Sequence, residues 1–70
     1  MSEKLSNSIK AERERMNLTQ GALAEKVGVS RKTINTVENG VFIPSTLLSL
    51  KLAEALERTV NQVFWLDRSS

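Results

Sequence analysis

Apolar residues recur along this chain at helical spacing, and each run is closed by a residue that favours a turn. Ile9, Arg13 and Met16 share one helical face, and Asn17, which tolerates the left-handed conformation that closes a helix, follows them. Thr19 is placed to cap a second helix, Gln20 to Val27, in which Ala22, Leu23, Ala24 and Val27 are apolar and which Gly28 stops. Ser30 caps a third, Arg31 to about Glu38, ended by Asn39-Gly40. Pro44 disfavours helical geometry at Ile43, so Val41–Pro44 reads as extended. Ser45 caps a fourth helix through about Leu56, and Thr59 caps a short fifth, Val60 to about Phe64. Nothing alternates with a period of two over a useful length, so a sheet is not expected. The pattern predicts an all-α fold of five short helices.

Composition narrows the chemistry more than the fold. Seventy residues make one small domain, residues 1–70, and 40% apolar content separates the chain from disordered sequences. It has no cysteine and no histidine. Disulfides, thiolate or imidazole metal sites, and Ser-His or Cys-His nucleophiles are thereby excluded. Carboxylates, lysines and hydroxyls remain, in a body too small to enclose much of a pocket. No enzyme activity, metal or cofactor is expected. The apolar stretches Val41–Ile43 and Val63–Leu66 fall far short of a membrane span, and MSEKLSNSIK has no hydrophobic signal core. A cytoplasmic protein with no membrane partner is the expectation. A net charge of +2 says little by itself, but Lys26 to Val37 holds three bases (Lys26, Arg31, Lys32) and no acid.

The segment Thr19–Gly40, TQGALAEKVGVSRKTINTVENG, sets two helices about a short turn containing glycine. Ala24 is small where the helices must approach, Gly28 is at the corner, and Leu23, Val27, Val29, Ile34 and Val37 are apolar where such a pair faces inward. With LTQGALAEKVGVS, TIN, ENG and the later PS, the chain from about Ile9 to Phe64 resembles the helix-turn-helix family of phage repressors and Cro proteins, the XRE family. The resemblance implies a compact five-helix repressor-like domain, with residues 19–40 as the helix-turn-helix proper. It also implies that the N-terminal part of the third helix enters the major groove of double-stranded DNA.

At 100° per residue, Ile34 and Val37 turn inward while Lys32, Asn35, Thr36 and Asn39 turn outward, and Arg31 projects from the first turn. That outer face carries hydrogen-bonding groups and two cations. By pairing geometry, Arg31 or Lys32 suits guanine, Asn35 suits adenine, and the Thr36 methyl suits thymine. Thr19 and Gln20 open the second helix, where free N–H groups favour an anion, so they are candidate phosphate contacts. Ser30 and Asn39, at the two ends of the third helix, complete that set. The resemblance adds that Gln20 also braces the recognition helix, and that Arg13 and Glu38 form an internal ion pair. Such a pair fixes orientation and removes a carboxylate from beside the DNA face.

Some residues depart from the family pattern. Glu12 stands where an apolar residue is usual. Val41-Phe42-Ile43 replaces a polar or basic stretch, Thr46 and Ser49 replace larger or more apolar residues, and Glu57 replaces a terminating glycine. In the fourth helix Leu48, Leu52 and Leu56 form a core stripe, but Leu47 and Leu50 lie off it, and Phe64-Trp65-Leu66 adds three large apolar residues near the end. Leu47, Leu50, Trp65 and Leu66 are therefore the candidate dimer interface, with residues 60–70 as a dimerisation tail. The expected function is a transcriptional regulator, a repressor by resemblance, that binds a palindromic operator as a homodimer. RNA polymerase or an antagonist is a conceivable protein partner. The alternative is a protein-interaction or antitoxin-like module in which DNA binding is secondary.

Overall fold

A computed structural model describes residues 3–68 of the chain. The elements run β1 (Glu3–Asn7), α1 (Ile9–Arg15), α2 (Gln20–Val27), α3 (Arg31–Glu38), α4 (Thr46–Ala55), α5 (Val60–Val63) and β2 (Phe64–Arg68). The helices begin where the sequence places their caps. Thr19, Ser30 and Ser45 have extended backbone, and their hydroxyls accept the N–H of Ala22, Thr33 and Leu48 at 3.0, 3.2 and 3.1 Å. At α5 the Thr59 N–H donates to Gln62 Oε1 at 2.9 Å, the return half of a capping box.

Helices α1 to α4 share one way of ending. A residue with positive φ (Asn17 57°, Gly28 76°, Gly40 73°, Glu57 59°) turns the chain back. The next N–H then returns to the last turn: Leu18 to Arg13 O, Val29 to Ala24 O, Val41 to Thr36 O and Arg58 to Ala53 O, at 2.9–3.0 Å. Three of these positions hold residues that accept left-handed backbone readily. Glu57 does not, and its Cβ makes that turn locally unfavourable.

The all-α expectation needs correction. β1 and β2 form a two-stranded antiparallel sheet, with Glu3 opposite Arg68, Leu5 opposite Leu66 and Asn7 opposite Phe64. Phe64 accordingly begins a strand (φ −129°, ψ 142°) and does not end the fifth helix. Each strand has only five residues, too few for alternation to stand out. They meet because α1 starts beside the end of α5, where Ser8 N–H donates to Val63 O at 2.9 Å. The ribbon's two faces then follow from the pleat. Leu5, Asn7, Phe64 and Leu66 share one, and Ser6 and Trp65 share the other.

The core collects Ile9 from α1, Leu23, Ala24 and Val27 from α2, Ile34 and Val37 from α3, Leu48, Leu52, Ala53 and Leu56 from α4 and its cap, then Val63 and Phe64. Met16 and Val29 pack against its edge, partly buried. Pro44 is buried as well, while Val41, Phe42 and Ile43 before it are exposed. Glu12, the departure on α1, is a surface link. It accepts from Arg15 Nε at 2.6 Å and from Arg58 Nε at 3.0 Å, and Arg15 also donates to Leu56 O at 2.8 Å, tying α1 to the end of α4. The Arg15 hydrogen bond, followed by Arg58, holds the Glu12 carboxyl below the usual glutamate range against the opposing effect of desolvation.

Candidate nucleic-acid interface

Helix α3 is held at its inner side and free at its outer side. Ile34 and Val37 are fully buried or nearly so, while Arg31, Lys32, Asn35 and Asn39 are exposed and Thr36 is half-buried. No acidic residue lies in its first turn. Two cations there oppose the helix dipole, an arrangement that disfavours the helix by about 0.3–1 kcal/mol per charge. Local stability therefore gives no reason for Arg31 and Lys32 to stand at this end.

The polar side chains differ in how free they are. Thr36 Oγ1 donates to Thr33 O at 2.9 Å, which commits its hydroxyl hydrogen and turns its remaining chemistry toward methyl contact and acceptance. Asn39 Nδ2 donates to Asn35 Oδ1 at 3.3 Å, so these two amides form a pair along the face. Ser30 Oγ lies 3.0 Å from Thr33 Oγ1 and also accepts the Thr33 N–H. Its first task is to cap α3. Thr19 likewise caps α2 while the N–H groups of Gln20 and Gly21, the first two of that helix, remain the sort of donors a phosphate uses.

Beneath this face lies a buried polar knot. Arg13 Nε donates to Glu38 Oε2 at 2.8 Å and Arg13 Nη2 to Glu38 Oε1 at 3.3 Å, a two-point pairing. Arg13 Nη1 donates to Leu18 O at 2.9 Å, and Gln20 Nε2 donates to Glu38 Oε1 at 3.2 Å. The side chains of Arg13 and Glu38 are 11% and 5% exposed, low enough that solvent screens the pair little. The hydrogen bond that Arg13 donates to Glu38 raises the Arg13 pKa above its usual value, with burial opposing and the carboxylate charge adding. Arg13 is thus charged at any pH at which the protein would be handled. One carboxylate gathers α1, α2 and α3, and it is withdrawn from the outer surface.

The remaining sequence candidates lie elsewhere. Leu47 and Leu50 on α4 and Trp65 and Leu66 on β2 are each 45–64% exposed. Two features were not read as functional from sequence. The exposed Val41-Phe42-Ile43 loop continues directly from α3, and the uncharged run Asn39–Leu50 contains five of the exposed large apolar residues: Val41, Phe42, Ile43, Leu47 and Leu50. Asn7 also reaches the end of α3 from β1. The loop has a signal in sequence, its missing charges. Asn7 has none, because its partners lie thirty residues away.

Comparison with known proteins agrees with this geometry. The helix-turn-helix family profile matches residues 9–63. The chain is 38% identical over 66 residues to the uncharacterised HTH-type transcriptional regulator YgzD of Bacillus subtilis, covering 94% of this chain and 100% of that one. It is 43% identical over 60 residues to an uncharacterised HTH-type transcriptional regulator of Methanothermobacter thermautotrophicus, covering 84% and 87%. Among solved structures it is similar to the P22 c2 repressor protein in complex with a synthetic operator. That match has a TM-score of 0.73 and 32% identity, over 76% of this chain and 80% of that one.

Proposed function

Because the chain belongs to the helix-turn-helix family of XRE/Cro/C1-type transcription regulators, we propose that it represses transcription by binding a palindromic operator as a homodimer, with α3 in the major groove. The observation that carries this reading is the outer face of α3. Arg31, Lys32, Asn35 and Thr36 stand together there with no carboxylate among them, on a helix fixed from beneath by Arg13, Glu38 and Gln20. In this reading Arg31 or Lys32 takes guanine, Asn35 adenine and Thr36 a thymine methyl. Thr19, Gln20, Ser30 and Asn39 hold phosphates on either side. The similarity to a repressor solved with its operator supports the same placement. Repression is steric, by occupation of a promoter, and the protein works in the cytoplasm.

The exposed apolar residues support the dimer. Val41, Phe42, Ile43, Leu47 and Leu50 are exposed large apolar residues within one uncharged run of sequence, and exposed apolar residues of this kind suit a second copy as partner. Trp65 and Leu66 extend from opposite faces of the ribbon, so an interface that uses both wraps around it. The same surface favours the second reading, in which another protein is the principal partner.

Selection from a random duplex library, followed by affinity measurement at two salt concentrations, tests the DNA reading. A preferred symmetric sequence and a steep loss of affinity with salt are expected. Arg31→Ala with Asn35→Ala should then weaken binding to the preferred site by about 1–3 kcal/mol per lost base contact. Unchanged binding would refute the assignment of this face. Sedimentation that shows only monomer at hundreds of micromolar would refute the dimer.

A further inference from the structure

The side chain of Asn7 joins three elements at one point. Its Oδ1 accepts the Ile9 N–H at 3.1 Å, which starts α1 where Ser8 offers no side-chain cap. Its Nδ2 donates to Val37 O at 3.1 Å and to Glu38 O at 3.4 Å, the last two residues of α3. A helix leaves its final carbonyls short of intrahelical donors at the negative end of its dipole; here Val37 O also takes the Gly40 N–H of the turn at 3.1 Å. A neutral amide donor from another element is well suited to them. The site is anchored on its other side too. Ser8 donates its N–H to Val63 O and its hydroxyl to Gln62 O, both at 2.9 Å, so the residue after Asn7 is fixed to the end of α5.

We propose that Asn7 is a positioning residue for DNA recognition: it holds the C-terminal end of α3 to the terminal ribbon and so sets the angle at which Arg31, Lys32 and Asn35 meet the groove. This rests on the reading of α3 as the DNA-contacting helix. Glu38 marks why the position matters. Its carboxylate is held by Arg13 and Gln20 toward α1 and α2, and its carbonyl is held by Asn7 toward β1. The end of the recognition helix is thus fixed from two directions. Without the second, α3 keeps its buried residues and its ion pair but gains freedom to pivot about them. Base contacts depend steeply on the direction of each donor, whereas phosphate contacts tolerate small pivots. Pivoting therefore reduces discrimination between sequences more than it reduces affinity for DNA in general. Through the pairing of Asn7 with Phe64, the ribbon that carries Trp65 and Leu66 is linked to the same helix end.

The test uses the full chain and Asn7→Asp, with Asn7→Ser as the second variant. Both keep an acceptor for the Ile9 N–H. Aspartate places a carboxylate against the carbonyls of Val37 and Glu38, and serine is too short to reach them. Dissociation constants are measured on the preferred duplex and on a scrambled duplex of equal length, at a temperature where circular dichroism shows each protein folded. The expected result is a fall of about two- to tenfold in the ratio of the two constants, the factor that one hydrogen bond supplies, larger for Asp than for Ser. The salt dependence should be unchanged, because no phosphate contact is removed. Loss of stability alone lowers the active fraction and moves both constants together. Equal changes on both duplexes, or none, would overturn the role of Asn7 while leaving DNA binding intact. A wild-type chain with no preference among duplexes would overturn the DNA reading, and the role of Asn7 with it.

Discussion

Two ion pairs, one joining α1 to the end of α3 and one in the terminal ribbon, look alike by distance and differ in burial. Arg13 and Glu38 meet at 2.8 Å with side chains 11% and 5% exposed; Arg68 and Glu3 meet at 2.6 Å with side chains 65% and 50% exposed. The shorter pair is the weaker. At the surface, water and salt screen the attraction, and the entropy of holding two long side chains offsets most of what remains. In the knot, Arg13 has a second carboxylate oxygen and the Leu18 carbonyl to fill its donors, and Glu38 takes Gln20 as well. Burial makes that pair costly to form and far more costly to break on one side. The end of α3 is accordingly braced by a well-covered pair, and the ribbon contributes through exposed surface and through Asn7.

The largest effect should come from breaking the knot. Glu38→Ala leaves the guanidinium of Arg13 buried without its carboxylate and is expected to destabilise the fold by about 3 kcal/mol. In a domain whose core supplies only about 3–5 kcal/mol, that brings the protein to the edge of unfolding. Glu38→Gln keeps an acceptor and should cost roughly half as much. Urea denaturation monitored by circular dichroism measures both. A cost below about 0.5 kcal/mol for Glu38→Ala would erase the difference between the two ion pairs.

Next in size are the helix endings, which share one geometry but not one residue. A Cβ at Gly28 would meet nothing within 4 Å, so its φ of 76° is the whole constraint. Gly28→Ala should cost about 1–2 kcal/mol, and Gly28→Asn clearly less, because asparagine tolerates that backbone. At Glu57 the same turn is occupied by a residue that resists it, and Glu57→Gly should stabilise by about 0.5–1 kcal/mol. Thermal denaturation of the three variants gives the order directly. If Gly28→Ala and Gly28→Asn cost the same, backbone strain is not what that corner selects against.

These endings also show what the sequence made legible. Caps and stops are local: Thr19, Ser30, Ser45, Asn17, Gly28 and Gly40 act on backbone within five residues of themselves, so each helix could be placed from its own neighbourhood. The outer face of α3 follows from the period of the helix once Ile34 and Val37 are known to point inward. The Arg13–Glu38 pair is not local, and it was legible only through resemblance to a family. The ribbon had neither aid. Its strands lie on either side of the whole helical region in sequence, each is five residues long, and Leu5 pairs with Leu66 across all of it. Asn7 was hidden for the same reason, since a single polar residue before a helix carries no sign of the distant carbonyls it will meet.

The smallest effect is expected at the ribbon's own ion pair. Arg68→Ala removes the contact of Arg68 Nε with Glu3 Oε2 but leaves no buried charge behind, since both groups stand in solvent. A change below about 0.5 kcal/mol is expected, falling further as salt is raised. The measurement is the urea midpoint of Arg68→Ala against wild type at low and high salt, beside the same pair of curves for Glu38→Gln. If the first difference is small and shrinks with salt while the second is large and persists, burial decides the strength of these contacts. A cost of 1 kcal/mol or more for Arg68→Ala would mean that the ribbon's outer end bears on the fold. Its role would then extend beyond the surface it presents and the anchor that Asn7 provides.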